Sequence, residues 1–205
     1  MTSALILYSN PRSRGQVARW MLEETGQAYS TFMMEFGKAM HAPEYLALNP
    51  MGKVPTLRHG SRVITETAAI CAYLADAFPE AGLAPALDKR ADYYRWLFFA
   101  AGPVEQAVTN HYLRFDPEGD QRSMVGYGHY DLAIDTLEYA VSQNQYLAED
   151  TFSAADVYVG SMLDWGMMFG TIKSRPAFEH YVARLRKRPA YKMAKEKDMA
   201  LLSAR

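Results

Sequence analysis

Cysteine is almost absent from this sequence, with Cys71 the only one in 205 residues. A single thiol cannot close a disulfide within the chain or build a cysteine-rich metal site, so a reducing compartment is its natural setting and no metal is expected. Long apolar runs are missing too. The longest, near AAICAYLA and WLFFAA, fall well short of the ~18 to 20 residues that cross a bilayer. The N-terminal run ALILY has neither a basic lead-in nor a small-residue cleavage site. These absences predict a cytoplasmic protein with no membrane partner. No segment is low in complexity, and 49% hydrophobic with 22% charged residues is a globular composition. A chain of this length buries roughly 70% of its unfolded surface, so its core needs no covalent staples.

Net charge is also nearly absent, at -1, but it is unevenly spread. The segment 171–205 carries ten Lys or Arg against three Asp or Glu. A nucleic-acid arm can look like this. Here Arg184, Arg186, Lys187 and Arg188 interleave with Val182 and Leu185 at helical spacing, which reads as the solvated face of an amphipathic helix, and no nucleic-acid partner is expected.

Periodicity divides the chain in two. The apolar run Ala4 to Ser9 precedes Asn10-Pro11, then Val17, Trp20 and Met21 fall at helical spacing up to Gly26, a helix stop. YSTFMMEF reads as a second strand, and VPTL and VITE flank His59-Gly60-Ser61 as a hairpin. Ile70, Tyr73, Leu74 and Ala77 follow as a helix. The expected order is βαβ then ββα over residues 1–78, a Pro- and Gly-bearing linker over 79–87, and an all-α part over 88–205. In the helical part Gly102-Pro103 predicts a kink, and Ser153 with Asp156 matches an N-terminal capping box.

Two segments carry chemistry. Val54-Pro55 lies between a loop and a strand, where a cis proline ends a tight turn and leaves the Val54 backbone free to pair with an extended peptide. Glu66-Thr67 opens a helix, where free N–H groups and the dipole favour a carboxylate, Thr67 adds a hydroxyl and Glu66 can accept from an ammonium. Taken alone, the first is more often a plain turn and the second is equally a helix cap.

The ordered set YSNPRSRGQVARWMLEETG, APEYLALNPMGKVPTL and VITETAAICAYL, with FSAADVYVG in the helical half, closely resembles the cytosolic glutathione transferases. The resemblance covers nearly the whole chain and implies a thioredoxin-like α/β domain followed by an all-α helical bundle. It also implies a homodimer that transfers the thiol of glutathione, its co-substrate, to a small hydrophobic electrophile. By position it assigns the cysteinyl backbone of glutathione to Val54, the γ-glutamyl end to Glu66 and Thr67, and the glycyl carboxylate to His41 and Lys53. Thr67 stands where serine is more usual. Tyr8-x-x-Pro11-x-Ser13 resembles the serine-type, bacterial-like members, which points to Ser13 as the group that stabilises the thiolate. Tyr8, Ser9 and Arg14 are close enough to serve instead. No cysteine lies in PRSR, which departs from the thiol-disulfide classes of the fold. The other reading on this fold is a non-catalytic interaction protein, which intact Val54-Pro55 and Glu66-Thr67 disfavour.

Overall fold

The computed structural model describes residues 4–148 and 151–203. It divides into two compact units, one running to Leu83 and taking in the segment from Lys187 onward, the other spanning Ala84–Arg186.

In the first unit β1 (Leu5–Ser9) alternates so that Leu5, Leu7 and Ser9 point into the core. Helix α1 (Gly15–Thr25) ends at Gly26, whose φ of 67° is a conformation that glycine adopts without cost, and the Gly26 N–H donates to the Glu23 carbonyl. Strand β2 (Tyr29–Met33) runs parallel to β1, while β3 (Thr56–His59) and β4 (Arg62–Ile64) form an antiparallel hairpin turned at Gly60. Between β2 and β3 lie a 3-10 turn over Lys38–His41 and the short α2 (Pro43–Leu46). Helix α3 (Thr67–Ala77) closes the βαβ, ββα order, and the sheet order is β2-β1-β3-β4.

The second unit is all helix: α4 (Ala91–Phe99), α5 (Glu105–Tyr112), α6 (Gln121–Met124), α7 (Tyr130–Gln143), α8 (Ala154–Phe169) and α9 (Pro176–Leu185). The kink expected at Gly102-Pro103 is a π-helical turn over Ala100–Val104 that joins α4 to α5. Proline lacks the N–H that an α-helical bond would need there, and a widened turn accommodates that loss without ending the helix. The capping box is present at the start of α8, where Asp156 Oδ2 accepts from both the Ser153 N–H and its hydroxyl at 2.9 Å.

The last helix, α10 (Pro189–Ser203), differs from expectation. Grouped by sequence with the helical part, it packs instead on α1 in the first unit. Charge pairing explains why. Arg188 donates from Nε and Nη2 to the two oxygens of Glu24 at 2.7 Å each, Lys197 pairs with Glu23 at 2.6 Å, and Arg19 and Asp198 form a buried pair at 2.7 Å. Trp20 meets Tyr191 edge to face at 5.0 Å. The basic run is therefore not simply a solvated face. Arg184 donates to the Gln145 carbonyl and Arg186 to Asp164, so most of that charge is met locally.

Candidate functional site

Register brings the predicted residues to one end of the sheet. Tyr8, near the end of β1, pairs with Thr56 at the start of β3, and Leu57 pairs with Ile64 at the end of β4. The turn after β1 that holds Ser13, the Val54-Pro55 segment before β3 and the Glu66-Thr67 segment after β4 therefore share an edge. The end of β2 joins them, because the Met34 N–H donates to the Ser9 carbonyl at 2.8 Å. Val54 and Tyr8 pack on the same small cluster of Met34, Met40 and Tyr45.

Buried Asn10 organises the first turn. Its side-chain amide donates to the Met34 carbonyl at 2.8 Å and its Oδ1 accepts from the Arg12 N–H at 2.9 Å. The Ser13 hydroxyl donates to the Asn10 carbonyl at 2.6 Å and accepts from the Gly15 N–H at 3.0 Å. Ser13 thus satisfies the first N–H of α1, whose N-cap is Arg14, and its proton is already engaged. Gly15 is required by space, since a Cβ there would lie 1.9 Å from Ser9 Oγ. Ser9 is fully buried, its hydroxyl has no hydrogen bond among the described residues, and it is too enclosed to meet a ligand. Tyr8 is half-buried between Phe32 and Tyr45, with ring centroids at 5.3 and 5.9 Å, and its hydroxyl makes no hydrogen bond among the described residues.

The Val54-Pro55 peptide is cis. Val54 lies outside the ladder, and its amide and carbonyl have no backbone partner among the described residues. The carbonyl of its neighbour Lys53 is fixed by two donors, Tyr45 Oη at 2.6 Å and Asn49 Nδ2 at 2.9 Å, and both of these side chains also bond Thr56 Oγ1. All three side chains are buried, and burial raises the Tyr45 phenol above its usual range. Sequence reasoning missed this brace. Its only signal is a tyrosine and an asparagine four apart in EYLALNP, a spacing that puts both on one helical face.

His41 and Lys53 are both exposed. His41 Nδ1 lies 2.9 Å from the Gly37 carbonyl, which only accepts, so Nδ1 carries the hydrogen. Nε2 then faces Gly52, where a Cβ would sit 3.4 Å from it. The glycine keeps that approach open, and Lys53 follows directly. The Lys53 ammonium has no partner among the described residues.

Glu66 has φ 64° and ψ 120°, one of two non-glycine residues described with positive φ. An L residue held there costs ~1 to 3 kcal/mol. Its exposed carboxylate has no partner among the described residues, while Thr67, buried to 8% exposure, starts α3. This yields an expected split. Glu66→Gly relieves the backbone and removes the carboxylate, so melting temperature stays level or rises while affinity for an ammonium-bearing ligand at this edge falls about 10-fold, as for loss of one charged hydrogen bond. Calorimetric titration beside a thermal melt checks both; a parallel fall in stability would contradict a purely ligand-facing role.

Cys71 is fully buried in α3, and burial pushes its thiol up to about 12. It is a packing residue and stays protonated near neutrality. Among the described residues no group of three or more His, Cys, Asp or Glu could hold a metal ion, and no helix is long and apolar enough to cross a membrane.

The family described as "Glutathione S-transferase, N-terminal domain" matches residues 3–76. Glutathione S-transferase A of Pleuronectes platessa is 29% identical over 184 residues, covering 84% of this chain and 82% of that protein. Glutathione S-transferase F10 of Arabidopsis thaliana is 32% identical over 149 residues, covering 66% and 68%. Among solved structures, a sphingomonad glutathione S-transferase complexed with glutathione aligns at a TM-score of 0.76 with 26% identity, over 94% of this chain and 98% of that one.

Proposed function

The chain belongs to the glutathione S-transferase family and works as a glutathione transferase with glutathione as co-substrate, and from that premise we propose that Ser13 activates the thiol for transfer to a small hydrophobic electrophile. The observation that carries the reading is the shared edge, where a Val54 backbone with no partner among the described residues, Glu66-Thr67 at a helix start and the Ser13 turn meet. Val54 pairs with the cysteinyl backbone, Glu66 accepts from the γ-glutamyl ammonium, and Thr67 with the first turn of α3 holds its carboxylate. Lys53, with His41 beside it, receives the glycyl carboxylate.

Ser13 Oγ must turn from the Asn10 carbonyl toward the sulfur. Exchanging a neutral hydrogen bond, ~0.5 to 1.5 kcal/mol, for one to a charged group, ~1.5 to 3, gains a net ~1 to 1.5 kcal/mol. The N-terminus of α1 adds ~0.3 to 1. Together they lower the thiol pKa by about 1 to 2 from ~8.5 and raise the ionised fraction at pH 7 from about 3% to between a quarter and three quarters. Ser13→Ala should then slow conjugation about 5- to 10-fold at pH 7 with little change in glutathione affinity, read from kcat/KM and a binding titration. An unchanged rate would remove Ser13 from this role.

One observation favours a second donor. The Tyr8 hydroxyl is unengaged among the described residues while that of Ser13 is not, so Tyr8→Phe slowing conjugation more than Ser13→Ala would move the assignment to Tyr8. Transfer itself is tested by retention on immobilised glutathione followed by conjugation of an activated aryl halide; retention without turnover would return the interaction-protein reading. A cytoplasmic, homodimeric detoxifying enzyme is the setting that fits. The single cysteine supports the reducing compartment, the dimer rests on family membership, and sedimentation at micromolar concentration giving a mass near 23 kDa would contradict it.

A further inference from the structure

We infer that Lys195 on α10, acting through Gln16, is a positioning residue for the turn that holds Ser13. Lys195 Nζ donates to Gln16 Oε1 at 2.7 Å, and Gln16 Nε2 donates to the Pro11 carbonyl. An ammonium has only donors and a carbonyl oxygen only accepts, so this chain runs in a single sense. Lys195 holds the amide oxygen of Gln16 toward itself and thereby turns the amide N–H group onto Pro11. Without Lys195 the amide can flip, setting its oxygen against the Pro11 oxygen and freeing the turn.

The turn so clamped is the one that matters. Pro11 lies between Asn10, whose carbonyl holds Ser13 Oγ, and Ser13 itself, whose carbonyl accepts from the Gln16 N–H at 3.2 Å. One end of the clamp is anchored on α10, outside the turn itself. α10 is fixed to α1 by the buried Arg19–Asp198 pair and by Arg188 on Glu24, so Lys195 projects from a helix that cannot shift without breaking them. A lysine on a loop would lose more rotamer freedom to make the same bond.

The inference rests on the reading of Ser13 as the sulfur's donor, and the experiment separates the two. Bound glutathione is titrated by its ultraviolet thiolate absorbance in the full-length parent, Lys195→Met, Lys195→Arg, Gln16→Glu, Ser13→Ala and the Lys195→Met/Ser13→Ala double variant. Lys195→Met keeps the apolar stem, and Gln16→Glu keeps an acceptor for Lys195 while losing the donor to Pro11. Each should raise the bound thiol's pKa by about half a unit and slow conjugation at pH 7 about threefold. Glutathione affinity measured below the thiol's titration should stay within about twofold. Lys195→Arg should restore the parental titration, which a loss of packing alone would not explain. The double variant should shift no further than Ser13→Ala. If Ser13→Ala shifts the thiol while Lys195→Met and Gln16→Glu leave it unchanged, the inference is wrong and the Ser13 reading stands. Additive shifts in the double variant also overturn it, since Lys195 would then act by its charge alone. An unshifted Ser13→Ala overturns both.

Discussion

Asp156→Ala is expected to lower the stability of the helical unit by about 3 to 5 kcal/mol, because four buried donors lose one acceptor together. Asp156 Oδ1 accepts from the Leu147 N–H at 2.9 Å and the Tyr181 hydroxyl at 2.7 Å, while Oδ2 takes the Ser153 N–H and hydroxyl. The carboxylate is fully buried, and burial pushes it up even against these four donors. It therefore ties the start of α8 to α9 and to the segment before α8 with one side chain. Removing it costs the desolvation of each stranded donor and not merely a helix cap, which alone is worth ~1 kcal/mol. Against a total stability of ~5 to 15 kcal/mol, melting followed by far-ultraviolet dichroism should fall by about 10 to 15 °C. Asp156→Asn should not rescue, since its amide N–H group would face donors. A shift of only a degree or two would mean that Asp156 is an ordinary cap.

The second large effect belongs to the first unit. Arg19 is 2% exposed in α1, where Nε donates to Asp198 Oδ1 and Nη1 to Thr31 Oγ1 at 2.9 Å and Tyr29 Oη at 3.3 Å. Asp198→Ala leaves that guanidinium buried without its counter-charge, which costs about 3 to 5 kcal/mol. Burial, which outweighs the pull of Arg19, raises the Asp198 carboxyl above its usual range, so the pair is itself expensive to hold. The bond is also single, since Arg19 Nη2 and Asp198 Oδ2 are buried with no hydrogen bond among the described residues. Replacing both partners should then recover most of the loss. Urea titration of Asp198→Ala, Arg19→Met and Arg19→Met/Asp198→Leu checks this, and the expected order puts the double variant well above either single one. Equal losses in all three would show that Arg19 and Asp198 do not act as a pair.

Sequence and structure agree where the physics is local. Strand and helix in the first part follow from the apolar run Ala4 to Ser9 and from Val17, Trp20 and Met21 ending at Gly26. Ser153 and Asp156 are three apart, so their box is legible by spacing alone. The rest depends on partners far along the chain. Arg19 and Asp198 are 179 residues apart, and nothing in the periodicity of either helix says that they meet. For the same reason α10 reads as one more helix of the second part. The Ser13 position is legible as a motif, but its hydroxyl direction is set by Asn10, whose side chain is held by the Met34 carbonyl just past β2. Tyr45 and Asn49 lie inside the quoted stretch APEYLALNP, but their types alone do not reveal what they hold. Their role becomes visible only when both meet the Lys53 carbonyl.

If Ser13 and the start of α1 act as proposed, this site holds glutathione as a thiolate near neutrality. The direct measurement is the ultraviolet absorbance of glutathione bound to the unmodified protein, titrated from pH 5 to 10 against free glutathione. A bound-thiol pKa between about 6.5 and 7.5 is expected. A value at or above ~8.5, that of an unperturbed thiol, would contradict it.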